Sequence, residues 1–301
     1  MIGDMTTPAG HDHHSDQWDK QLASLERDGR VSSPWVSQAV QWLIDEMARP
    51  PIEHVVDVGA GPGFAACAFA EALPSARVTA LDPTASFLER TRERARERGV
   101  ADRLSTHEGD IDSSLSALAS ADLVWSSHVV HHTADPVDAL RKLGSLLTAD
   151  GRLAIAEGGL PMRVLPGDYG LGAPGFPARL DATLDEYAVR EWGLPEAATG
   201  GAKDWPVMFG DAGLVPVQSR TFLLDRPAPL HDTVRAYVVA QFAKVREQVG
   251  DRLDRADARA LDRLLDASDQ VSLIRRPDLF VLSASTVHIA AHGSATTAAE
   301  R

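Results

Sequence analysis

Three histidines crowd one short stretch of this chain, His128, His131 and His132. An imidazole titrates near pH 6.5, so any of them could take a proton from a hydroxyl or an amine. A second cluster is built from glycine. Gly59, Gly61 and Gly63 alternate directly after the apolar run Val55–Val58, which carries one carboxylate, Asp57. Glycines at a strand–loop–helix turn permit positive φ and remove every Cβ, so a ligand can lie against bare backbone. Their spacing separates two cofactors. A dinucleotide fingerprint needs its third glycine three residues after the second, and this chain has Phe64 there. Further on, Asp82 closes the run ARVTALD, about twenty residues past the glycines. A carboxylate there can accept both hydroxyls of a ribose, or it can cap the helix that Pro83 and Thr84 open.

The elements that must hold these groups alternate between strand and helix. Residues 55–58, 76–82, 104–111, 121–127 and 146–157 read as strands, the third ending at Asp110 and the fifth preceded by a tight turn at Asp150–Gly151. Between the first two, FAACAFAEAL reads as a helix. Near the start, Ser33 and Pro34 read as an N-cap and first helical residue. The stripe Val36, Ala39, Val40, Leu43, Ile44 and Met47 follows, stopped by Pro50–Pro51. The HDHH stretch at 11–14 reads as part of a polar tail. After strand five the composition shifts. Residues 158–177 are rich in glycine and proline, and helical segments follow near 178–193 and 230–267. Between those helices, residues 204–224 read as a helix, a glycine turn and a sixth strand, and residues 279–291 as a seventh.

Five of these segments, in this order over residues 55–157, resemble the motifs of the class I S-adenosylmethionine (SAM)-dependent methyltransferases of the small-molecule, natural-product type. The resemblance implies an α/β fold, a Rossmann-like doubly wound seven-stranded sheet with helical lid insertions. It also implies an enzyme that moves a methyl group from SAM to a small-molecule acceptor in specialised metabolism, on oxygen, nitrogen or carbon. Asp57, Gly59, Gly61 and Gly63 would then meet the methionine portion of the cofactor and Asp82 with Pro83 the ribose. Asp110 and Ile111 would meet the adenine, and Ser126 and Ser127 complete the cofactor site. Some O-methyltransferases of this type use a histidine from the turn after strand four as base, which makes His128, His131 and His132 the catalytic candidates. Trp18 and Trp35 could line the site from the N-terminal segment. Tyr169, Phe176, Tyr187, Trp192 and Trp205 are candidates for an acceptor pocket. The implied organisation is a disordered tail over 1–20, a core with N-terminal helices over 21–157, a lid over 158–203, and the end of the sheet with its helical insertion over 204–301. Two alternatives stand beside this reading. One is a SAM-binding protein of the same fold that guides a cyclisation or rearrangement, since fold does not fix function. The other is a nicotinamide-dependent oxidoreductase, against which the glycine spacing argues.

Composition narrows the partners. A net charge of −13 over 301 residues argues against nucleic acid, because phosphate binding needs basic residues that displace counterions. The Arg-rich run at 89–99 alternates with Glu at helical spacing, as a solvated helix face does. No apolar stretch reaches the roughly 18 residues of a membrane span, and the first residues lack the pattern of a secretory signal. The single cysteine, Cys67, suits a reducing cytoplasm. No metal-ligand spacing is recognisable. The oligomeric state stays open, a homodimer among the options.

Overall fold

The computed structural model describes residues 12–47, 50–167, 169–191 and 204–293. Seven strands form one sheet in the order β3-β2-β1-β4-β5-β7-β6. In chain order they are β1 (His54–Val58), β2 (Arg77–Asp82), β3 (Leu104–Glu108), β4 (Ala121–Ser127), β5 (Leu147–Arg163), β6 (Leu214–Arg226) and β7 (Val281–His292). The first five pair in parallel and β7 runs antiparallel between β5 and β6. Every residue of β1 is buried, which is why HVVDV reads as a run of apolar residues rather than an alternation. The order turns back on itself between β1 and β4, and an open α/β sheet leaves its ligand crevice beyond the strand ends at such a switch.

Helices cover both faces. On one side lie α1 (Asp12–Glu46), α2 (Phe64–Ala72) and α3 (Ala85–Glu97), on the other α4 (Pro136–Gly144) and α6 (Trp205–Asp211). Pro136 opens α4 and the Asp135 carboxylate caps it, accepting the Asp138 N–H at 3.0 Å. Among the described residues no helix is long and apolar enough to cross a membrane.

Five local expectations need correction. The tail expected over residues 1–20 gives way to helix from Asp12 onward, and residues 1–11 lie outside the described residues. Nor does a helix start at Ser33, because Pro34 sits inside α1. Proline lacks the N–H that the Arg30 carbonyl would receive in an unbroken helix, and the Ser33 hydroxyl donates to that carbonyl instead, at 3.1 Å. Tertiary contact keeps the helix going: a Cβ on Gly29 would lie 2.2 Å from the Phe64 ring, and Glu26 pairs with Arg90 and Arg94 of α3. The third strand stops at Glu108, two residues short of Asp110. The fifth strand runs on to Arg163 through residues read as irregular loop, because β7 offers them a partner. The Asp150–Gly151 turn is absorbed into β5 as an irregularity in its pairing with β4.

The insertions form a helical cap from α5 (Phe176–Glu191), α7 (Asp232–Val249) and α8 (Arg255–Leu265). Tyr169 packs against Phe176 and Phe242, with ring centroids 5.8 and 6.3 Å apart. Arg179 grips the buried Asp257 with two bonds of 2.7 Å. Removing one partner of such a pair strands a buried charge and costs about 3–5 kcal/mol.

Candidate active site

The cradle begins where β1 ends. Gly61 has φ 53° and no atom within 4 Å of the place a Cβ would take, so its face opens onto free space. Gly59, at φ 73°, is needed for contact: its Cβ would lie 2.3 Å from Val129. From β2, Asp82 holds the loop by accepting the Gly61 N–H and the Thr84 N–H, both at 2.9 Å. Burial raises the Asp82 pKa, against the pull of those two donors. From α3, Thr91 donates to the Gly61 carbonyl at 2.9 Å and Arg94 to the Pro62 carbonyl at 2.8 Å. Asp57 lies below the loop with 2% of its surface exposed. One of its oxygens receives the Ala66 N–H at the start of α2, while Oδ2 has no partner. Burial pushes its pKa up to about 7, the Ala66 bond opposing and the neighbouring Asp82 adding to the rise.

Beside the loop lies a cleft of about 350 Å³ whose walls include Gly59, Pro83, Asp110, Ile111 and His132. Ile111 is buried there and Asp110 is exposed. Asp110 Oδ1 accepts the Ser113 N–H at 2.8 Å and its hydroxyl at 2.7 Å, which holds the carboxyl below its ordinary pKa. Ser126 is buried and its hydroxyl donates to the Val58 carbonyl at 3.1 Å, a tie between β4 and β1. Ser127, half-buried, follows it at the end of β4.

The histidines divide between this cleft and a second cavity of about 490 Å³. His128 and His131 line the second, together with Glu157, Trp205, Thr286 and His288. His131 and His132 rings, 3.9 Å apart, mark where the two spaces adjoin. Glu157, at the end of the regular part of β5, organises the turn. Its Oε1 accepts the Val129 and Val130 N–H groups at 3.1 and 3.0 Å, and Oε2 lies 2.8 Å from His131 Nδ1. Burial alone would raise the Glu157 pKa, but the bond and charge of His131 overturn it and hold the acid ionised. An ionised carboxylate only accepts, so His131 carries its proton on Nδ1. His128 has φ 56°, a left-handed conformation uncommon outside glycine, fixed by its N–H to the Ala156 carbonyl at 3.0 Å. The protein mass around it lowers its imidazole pKa although the ring is exposed. Trp35 meets that ring edge-on at 6.5 Å. His288 bonds Ser219 through Nδ1 at 2.7 Å, and burial lowers its pKa.

Of the aromatic candidates, Trp205 reaches the cavity. Tyr169 and Phe176 are core of the cap, and Tyr187 packs under Arg252, whose guanidinium lies 5.0 Å from the ring. The Trp18 side chain and Trp192 lie outside the described residues. His288 and Thr286 were missed in the sequence, and Glu157 stood there only as the last residue of the fifth strand. The alternation of Thr286 and His288 along the seventh strand was the available signal. Among the described residues no group of three His, Cys, Asp or Glu side chains is arranged to hold a metal ion.

A parallel sheet with an antiparallel seventh strand, a glycine cradle after β1 and a carboxylate after β2 define a Rossmann-like α/β architecture. Residues 56–153 match the family described as a methyltransferase domain. The chain is 33% identical over 129 residues to the ubiquinone/menaquinone biosynthesis C-methyltransferase UbiE of Paracoccus denitrificans, covering 43% of this chain and 50% of that protein. It is 34% identical over 126 residues to an uncharacterised methyltransferase of Mycobacterium bovis, covering 42% of this chain and 61% of that one. The chain thus spans about half the length of the first of these relatives. In fold it is similar to the YcgJ protein from Bacillus subtilis, with a TM-score of 0.51 and 19% identity over 85% of this chain and 98% of that one.

The family's cofactor fits the residues present. The open face of Gly61 is a cradle that any side chain would fill, and the unpartnered Asp57 Oδ2 calls for a donor.

Proposed function

We propose that this chain is a SAM-dependent methyltransferase acting on a small molecule, with the cofactor over Gly59–Gly63 and the acceptor in the His128–His131 cavity. The observation that carries this is the junction of two unlike spaces beyond the strand ends. One is walled by backbone and carboxylates, the other by imidazoles and Glu157, and they adjoin at His131 and His132. In this reading Asp57, Asp82, Pro83, Asp110 and Ile111 bind the cofactor. Bound there, SAM supplies an electrophilic methyl on a sulfonium. The protein's part is alignment, exclusion of water and handling of one proton. Glu157 fixes the tautomer and orientation of His131. His128, its pKa lowered, is neutral near pH 7 and able to accept a proton from a hydroxyl or amine. Histidines are needed only where the nucleophile arrives protonated, so the site suits an acceptor of that kind. The 490 Å³ cavity has the size of small-molecule sites.

Calorimetry with S-adenosylhomocysteine tests the cofactor half, and transfer of labelled methyl from SAM to a panel of phenols and amines tests the acceptor half. Tight binding with NAD inert is the expected result. NAD binding in place of the homocysteine, or methyl transfer to RNA faster than to any small acceptor, would overturn it.

A further inference from the structure

Beyond the cavity the sheet continues with a face that no other element covers among the described residues. Alternate residues of a strand share a face, so His288, Thr286, Ala284 and Leu282 of β7 form one row. The pairing sets Ser219, Thr221, Leu223 and Asp225 of β6 beside them, and Leu160 of β5 beside Ala284. The row changes character from the cavity outward. His288 is bonded to Ser219 at 2.7 Å and Thr286 to Thr221 at 3.0 Å. Next come Leu223 and Leu160 flanking the buried Ala284, and then Leu282. The three leucines are 55%, 63% and 40% exposed. Gly158 and Gly159 stand between cavity and leucines, so no side chain from β5 walls the passage. A Cβ on Gly159 would lie 1.9 Å from the Ala284 carbonyl oxygen, and only glycine lets β5 close on β7 there.

Resting on the acceptor reading of the cavity, we propose that this leucine platform holds the hydrocarbon tail of an amphiphilic acceptor whose polar head enters between His128, His131 and His288. His288 and Leu282 are six steps apart along β7, which is about 20 Å of strand and room for an extended alkyl chain of about a dozen carbons. A second copy of the chain suits the face less well. The leucines expose on the order of 300 Å², against about 800 Å² per partner in a stable interface. The order of polarity, ionisable, then hydroxyl, then aliphatic, is that of an amphiphile lying along one strand.

The test is calorimetric titration of the protein, saturated with S-adenosylhomocysteine, with phenol and its 4-butyl, 4-hexyl and 4-octyl derivatives below their aggregation concentrations. Affinity should rise about twofold per methylene, half the factor expected for a fully buried chain. Leu223→Asp and Leu282→Asp change exposed positions, so circular dichroism should show an intact fold. Both should flatten the chain-length series while the homocysteine binds as before. A flat series in the unaltered protein with normal homocysteine binding would overturn the tail site alone. Failure to bind the homocysteine would instead sink the cofactor reading, the phenol series then being judged on the free protein. A dimer in sedimentation that either aspartate variant dissolves, with no chain-length dependence, would make the face an interface between copies and overturn the proposal.

Discussion

The glycine loop and the histidine cavity, the cofactor and acceptor halves of the proposed site, are built from different materials. Around the glycine loop the contacts are made by backbone: Asp82 receives two N–H groups, and Thr91 and Arg94 donate to loop carbonyls. Around the second cavity they are made by side chains drawn from the turn after β4, from β5, from α6 and from β7. A backbone site tolerates few residue types, because the conformation of the chain is itself the binding surface. A side-chain site can be rebuilt residue by residue on the same sheet, which lets one scaffold serve many acceptors.

The sharpest way to break that contrast is at Gly61. A Gly61→Val protein carries a β-branched residue at φ 53°, facing the space the ligand should occupy. Calorimetry should find S-adenosylhomocysteine binding weakened more than hundredfold, and normal binding would end the cradle assignment. The acceptor half should respond in the opposite register. Glu157→Gln keeps the shape but removes the charge that orients His131. Turnover should fall at least tenfold, within the usual range for acid–base contributions, with cofactor affinity unchanged in the same preparation.

Asp82→Ala should weaken cofactor binding at least tenfold, since a hydrogen bond to a charged group contributes about 1.5–3 kcal/mol. Its loss also frees the Gly61 and Thr84 N–H groups, so thermal melting should be recorded beside the titration. The smallest effect belongs to pH. A base must be unprotonated to work, and the His128 pKa lies below 6.5. With SAM saturating at every pH, turnover should therefore stay level down through pH 7 and fall only at more acidic values. In His128→Gln that acidic limb should disappear or move, leaving a few-fold lower plateau. An unchanged profile would pass the role to His131.

These differences in material explain what could be read from the chain beforehand. Gly59, Gly61, Gly63 and Asp57 lie within seven consecutive residues, and Asp82 closes the next strand, so local pattern was enough. The cavity brings Glu157 to His131 from 26 residues away, and His288 from the far end of the chain. Nothing local marks such a pair. Pro34 misled for a related reason. By itself it opens a helix, but Gly29 against Phe64 and Glu26 against Arg94 anchor the stretch before it as helix, so α1 is already formed where the proline falls. Tyr169 and Phe176 read as pocket aromatics because they sit in an irregular stretch, whereas the cap needed them for its own core.

One detail of the cradle makes it a proton balance as well as a binding surface. Asp57 has a pKa of about 7 in the ligand-free protein, against 3.8 for the ordinary group. The raised value means that the protonated form favours folding: the contribution is complete below pH 3.8 and is lost as pH rises through about 7. Near neutrality, therefore, roughly half the ligand-free molecules hold this proton. A cofactor that brings a cationic or N–H group to Oδ2 selects the ionised half and expels the proton from the rest. Binding heats measured in two buffers of different ionisation enthalpy should differ by a fraction of a proton released at pH 7, shrinking toward pH 9 and absent in Asp57→Asn. The affinity of this protein for its cofactor would then rise with pH across the neutral range, set by one carboxyl beneath a loop of glycines.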